Sequence, residues 1–146
     1  MTPSLPFTRL DPGAVLPERA HPGDAGLDLR SAIDVDVGPG ERAMVPTGLS
    51  VAIPEGHAGL VLPRSGLASR QGLTLANAPG LIDAGYRGEV VCAVVNLDRN
   101  EPVTIARGDR VAQLVIVAVP ELEPVWVEAL PPSARGEGGF GSTGMQ

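Results

Sequence analysis

Lysine is absent from this 146-residue chain, so all eleven of its strongly basic side chains are arginines. That absence excludes a Walker-type phosphate loop, whose lysine reaches the phosphates, and Schiff-base catalysis, which needs a primary amine. Any phosphate has to be held by forked guanidinium hydrogen bonds instead. Cysteine is nearly missing too. The one thiol, Cys92, rules out a disulfide framework, and its apolar neighbours make it a core-packing residue. Aromatic residues supply 3% of the chain, so the core must be assembled from valine, leucine, isoleucine and alanine. No apolar run approaches a membrane span, and the start Met-Thr-Pro-Ser-Leu-Pro lacks the basic-then-apolar order of an export signal. The expected setting is cytoplasmic, away from membranes. His21 and His57 stand beside Pro22 and Gly56 with no cysteine or histidine at ligand spacing, which argues against zinc and for surface positions.

Seventeen acidic residues against eleven arginines give a net charge of −6, the opposite of a surface that coats nucleic acid. A sparse set of arginines in an acidic protein suits a small, discrete anion that brings its own cation. Nineteen glycines and fifteen prolines cut the chain into segments too short for long helices. Strands are expected at residues 7–10, 26–30, 42–45, 49–53, 59–62, 73–76, 89–96, 110–118 and 124–128, an all-β pattern of barrel or jelly-roll type. There is no internal repeat. Pro131-Pro132-Ser133 marks a boundary, giving a domain over residues 1–130 and a Gly-rich arm over 131–146. Residues 90–95 and 111–119 are apolar on both strand faces, which fits either central strands of a sandwich or a subunit interface.

Three segments carry chemistry. Residues 77–88 hold the chain's only tyrosine, Tyr86, three positions after Asp83. The glycines and proline around Leu81 and Ile82 predict a strand, a tight turn and a return into 89–97, a hairpin with Asp83 at its bend. There Leu81, Ile82 and Ala84 would limit its solvation, and a poorly solvated carboxylate is a better proton acceptor than a free one. The other reading is an ordinary Asp-Ala-Gly turn. Pro63-Arg64-Ser65-Gly66-Leu67-Ala68 closes a strand with an arginine, a hydroxyl and free amides, either an anion cradle or a Ser-capped helical turn. The last segment, 135–144, has five glycines in ten residues. It is either disordered or an arm that orders on a ligand, laying Phe140 on a flat ring and Arg135 and Ser142 on phosphates.

Five blocks, in order, resemble those of the trimeric deoxyuridine triphosphatase (dUTPase) family, in its bacterial form: Ala25 to Ser31, Pro63 to Ala68, Gly80 to Gly88, Arg107 to Leu114, and Arg135 to Gly144. The resemblance runs from about Phe7 to the end of the chain. It implies a distorted jelly-roll or β-barrel of the β-clip kind, a homotrimer whose active sites are shared between chains, and Mg²⁺-assisted hydrolysis of dUTP to dUMP and pyrophosphate. That reaction limits uracil incorporation into DNA and supplies dUMP for dTMP synthesis.

The resemblance also implies roles. Asp83 would orient and deprotonate a water that attacks the α-phosphorus. Asp28, isolated by alternation on the strand face opposite Leu27 and Leu29, would hold Mg²⁺ through water. Arg64, Ser65 and Gly66 would contact the phosphates, and Gln113 the α-phosphate or the attacking water; without the family, Gln113 reads equally as a satisfied polar residue on an outer face. Asn77 and the backbone around Gly80, Leu81, Ile82 and Val91 would read the uracil edge, and Tyr86 would lie against the deoxyribose and leave no room for a 2′-hydroxyl. Arg135, Phe140, Gly141 and Ser142 of the arm would complete the site.

Two rival functions differ by observable features. The related deoxycytidine triphosphate deaminases share the fold and the nucleotide that the resemblance implies, but need an acid/base glutamate where this sequence has Ala93, and Tyr86 also favours the triphosphatase. A trimeric module that only binds nucleotide or protein would need no water-activating carboxylate, yet Asp83, Asp28, Gln113 and the Gly-rich tail are all present.

Overall fold

Short alternating segments and frequent glycine or proline produce strands of three to ten residues. The computed structural model describes residues 3–145. In chain order its elements are β1 (Phe7–Arg9), β2 (Leu27–Arg30), β3 (Val35–Val37), β4 (Arg42–Val51), β5 (His57–Leu62), α1 (Ser65–Gln71), β6 (Leu73–Leu75), β7 (Gly80–Ile82), β8 (Glu89–Asn96), β9 (Val103–Ile105) and β10 (Arg110–Ala118). Two four-stranded sheets, ordered β1-β4-β8-β6 and β2-β10-β5-β7, are joined by a β3-β9 ribbon, and every pairing is antiparallel. This is the expected all-β architecture of distorted jelly-roll type.

The core lies between the sheets and is aliphatic, as the dearth of aromatics requires. Leu29 and Leu114 meet Val45, Val51, Cys92 and Val94 in one buried cluster. Burying each leucine there is worth about 1.5–3 kcal/mol. On β8 the pattern alternates: Val90, Cys92 and Val94 point inward, while Val91, Ala93 and Val95 keep some exposure. Both strands that read as apolar on two faces, β8 and β10, are central in their sheets.

Several expectations change. The segments 42–45 and 49–53 are one strand, β4, which carries Pro46 opposite Val91 and then bulges, so that Ser50 is next to pair with Glu89. Gly48 lies in the bulge with φ +70, a conformation that favours glycine. β3 and β9 were not anticipated; three residues each, they are too short to announce a period. The segment 124–128 is not a strand, because its apolar residues find no strand to pair with in this chain. Most consequential, β7 and β8 do not form a hairpin. β7 pairs with β5 and β8 pairs with β4 and β6, so the loop 83–88 crosses from one sheet to the other.

Candidate active site

The crossing loop opens a cleft of ≈ 380 Å³ between the layers, lined among others by Asn77, Leu81, Asp83, Tyr86, Val91 and Ala93. Gly80 and Ile82 line it too. Gly80 is buried beneath the amide of Asn77, whose Nδ2 comes within 3.3 Å of where a Cβ would stand. The turn after β7 closes with the Tyr86 amide donating to the Asp83 carbonyl at 3.1 Å. Arg87 braces it by donating from Nη1 to the Ala84 and Tyr86 carbonyls at 2.6 and 2.9 Å. Tyr86 folds back over Gly88, where any Cβ would collide with its ring and hydroxyl, and donates that hydroxyl to the Glu89 carbonyl at 2.9 Å.

The expected shielding of Asp83 does not occur within one chain. Asp83 is exposed, and Leu81, which was to cover it, is 66% exposed itself because alternation on β7 turns it outward while Gly80 and Ile82 point in.

A second group forms where β2, β10 and β5 lie side by side. Gln113 is in register with Asp28 on one side and Leu62 on the other, and its Nε2 donates to the Pro63 carbonyl at 3.0 Å. Gly26 leaves room for this side chain; a Cβ there would strike Gln113 Oε1. The Asp28 carboxylate, 14% exposed, stands 3.8 Å from Arg64 Nε and 3.4 Å from Arg110 Nη1. Two guanidinium groups on one carboxylate leave a surplus positive charge, which suits an anion. Arg110 was not singled out from the sequence, although it sits in the fourth block; its signal is the strand register that sets it near Asp28.

Arg64 itself caps α1 with extended backbone, φ −88 and ψ 127, and no side chain caps the helix. The Ser-capped alternative is therefore wrong, because Ser65 is already the first helical residue. The amides of Ser65, Gly66 and Leu67 precede the first intrahelical bond, Ala68 to the Arg64 carbonyl at 3.0 Å.

Among the described residues no cluster of three or more His, Cys, Asp or Glu could hold a metal. Asp28 offers a single carboxylate, already paired with two arginines, so a Mg²⁺ there would have to take its other ligands from substrate phosphates and water. His21 and His57 are exposed, and Cys92 is buried.

The tail stands apart from both groups. Arg135, Phe140, Gly141 and Ser142 are exposed, and hydrogen bonds within 131–145 stay local: Arg135 Nε to the Gly138 carbonyl, the Ser142 amide to the Gly139 carbonyl at 3.0 Å. No side chain is shared between the cleft, the Asp28 group and the tail. Ala93, where a deaminase needs its glutamate, presents only a methyl group to the cleft.

The dUTPase family model matches residues 13–144. The deoxyuridine 5′-triphosphate nucleotidohydrolase of Mycolicibacterium gilvum is 58% identical, over 99% of this chain and 97% of that protein. The enzyme of that name from Streptomyces coelicolor is 59% identical, over 93% of this chain and 74% of its own length. Among solved structures, the Staphylococcus bacteriophage 80alpha dUTPase with dUPNHPP aligns with a TM-score of 0.92 at 36% identity, covering 99% of this chain and all (100%) of that one. A dUTPase mutant of phage phi11 of S. aureus, described with a structural Mg(II) ion, aligns at a TM-score of 0.83 and 32% identity, covering 89% and 100%. No helix among the described residues is long and apolar enough to cross a membrane.

Proposed function

The chain belongs to the dUTPase family and is a dUTP nucleotidohydrolase; from that premise we propose how its own residues divide the reaction that yields dUMP and pyrophosphate. The observation that carries the proposal is the cleft at the crossing loop, which gathers Asn77, Asp83 and Tyr86 around one opening. Uracil enters against Asn77 and the backbone of Gly80, Leu81, Ile82 and Val91. Backbone groups that pair with the uracil edge would be left unpaired by cytosine, which discriminates by about 10⁴. The Tyr86 ring closes on the deoxyribose and excludes a 2′-hydroxyl.

Asp83, at the rim, orients the attacking water and takes its proton as the water approaches the α-phosphorus; positioned general-base catalysis is worth about 10² to 10⁴ in rate. Gln113, held by the Pro63 carbonyl, keeps its amide oxygen free for that water or the α-phosphate region. Arg64 and the amides of Ser65 and Gly66 hold the phosphates. The family uses Mg²⁺, which when bound offsets charge on the phosphate oxygens; Asp28 would hold it through water. Arg64 and Arg110 hold the Asp28 carboxylate in place.

Cleft and arginine group share no residue, and in the homotrimer that the family resemblance implies we take them as parts of a site assembled between chains. The arm, 131–146, closes over it, stacking Phe140 on the uracil and bringing Arg135, Gly141 and Ser142 to the phosphates. By removing dUTP the enzyme limits uracil in DNA and supplies dUMP for dTMP.

The test is pyrophosphate release from dUTP with Mg²⁺, beside dCTP, dTTP and UTP, for wild type and Asp83→Asn. Release from dUTP alone, lowered by about 10² or more in the variant with nucleotide still bound, supports the assignment. Undiminished turnover in Asp83→Asn removes Asp83 as the base.

A further inference from the structure

We propose that Glu89 is a positioning residue for sugar selection, acting through Tyr86; the inference rests on the role given to Tyr86 above. Glu89 begins β8 and lines the cleft, and it is tied at both ends. Its main-chain carbonyl accepts the Tyr86 hydroxyl at 2.9 Å. Its carboxylate Oε1 accepts the Gly48 amide at 2.8 Å. That amide is available because β4 bulges: between Pro46↔Val91 and Ser50↔Glu89 the ladder breaks, and Gly48, at φ +70, turns its N–H away from regular pairing. Next to it the Thr47 hydroxyl donates to the Val90 carbonyl at 2.6 Å, fully buried. The bulge is in turn anchored from outside, its Gly48 carbonyl accepting the Leu10 and Asp11 amides at 2.7 and 3.2 Å.

The start of β8 is therefore gripped from β4 at two consecutive residues, and the carbonyl so fixed is the one that holds the tyrosine. Gly88 completes the seat by leaving space for the ring. A half-exposed aromatic on a loop would otherwise rotate freely. An orientation error of this kind does not abolish substrate binding; it loosens the steric exclusion on which rejection of a 2′-hydroxyl depends. The groups assigned to the phosphates lie elsewhere, and Val91 on β8 is still held by the Thr47 hydroxyl at Val90.

The experiment measures kcat and KM for dUTP and UTP, with thermal melts as a folding control. Glu89→Ala is expected to lower the dUTP-over-UTP ratio of kcat/KM by about tenfold, through better use of UTP, with kcat for dUTP changed by less than about twofold. Glu89→Gln keeps the wild-type ratio, because its amide oxygen still accepts from Gly48. Tyr86→Phe loses the ratio as Glu89→Ala does, and combining the two lowers it no further. A folded Glu89→Ala with wild-type selectivity overturns the proposal while Tyr86→Ala still relaxes selectivity. If Tyr86→Ala leaves the ratio unchanged, the role of Tyr86 itself falls. Where Glu89→Ala does not fold, Tyr86→Phe tests the same tether, and an unaltered ratio there overturns the proposal.

Discussion

Cys92 shows how far one side chain can be read. An isolated thiol in a valine run is expected in the core, and it is buried there, 1% exposed. Burial pushes its thiol up to about 12 from a usual value of 9.0. The sign follows: above about pH 9 the unfolded chain loses this proton while the folded chain keeps it, so unfolding releases a proton and stability falls with rising pH. The contribution is fully present below that point and disappears as pH rises towards 12. With no lysine in the chain, few other side chains change charge in that window. Urea midpoints on either side of pH 9 should fall more steeply in wild type than in Cys92→Ala; equal slopes would deny the buried thiol this role. Asp28 was similarly legible, since its place between Leu27 and Leu29 forces it to the opposite face. Its arginine partners were only half legible: Arg64 precedes a turn that aims it, but Arg110 reaches Asp28 through strand register, which spacing along the chain does not reveal.

Elements were legible where they were long. The runs that became β8 and β10 are strands at their expected bounds, whereas three-residue β3 and β9 carry too few alternations to be distinguished from loop. The crossing loop illustrates a different limit. Glycine, proline and aspartate correctly signal a chain reversal at 83–88, but they do not say which neighbour each strand takes, and the hairpin reading failed on that point. The bulge of β4 was hidden for a related reason: Pro46 and Gly48 look like a break between two strands, whereas one strand runs through them with only its ladder interrupted. Gly48 is the most exacting position in that element, because a Cβ would lie 2.6 Å from Asp11 Cβ and 3.1 Å from Ala14 Cβ on a backbone at φ +70. Gly48→Ala should cost about 1–3 kcal/mol, seen as a lowered melting temperature. A melt unchanged from wild type would mean that the bulge relaxes without loss.

At the scale of the molecule, the last strand ends at Ala118, and the chain beyond it exposes Leu122 at 81%, Val125 at 70% and Leu130 at 84%. In the proposed trimer these side chains would be covered by a neighbouring chain. Sedimentation should give the mass of three chains, 15.0 kDa each, and a 15.0 kDa species at working concentration would sink the shared-site proposal. The strands apolar on two faces do not decide the matter, since β8 and β10 are central in their sheets. In the shared-site proposal the cleft and the arginine group are each built locally within one chain and meet only between chains.

Trp126 lies on this same segment, between the last strand and the Gly-rich arm, fully exposed at 102%, and it is the chain's only indole. A lone chromophore facing water reports on its own surroundings and nothing else. Whatever covers this segment therefore shifts the protein's entire tryptophan emission towards the blue, which gives each chain an optical gauge of whether the stretch leading to its arm is docked.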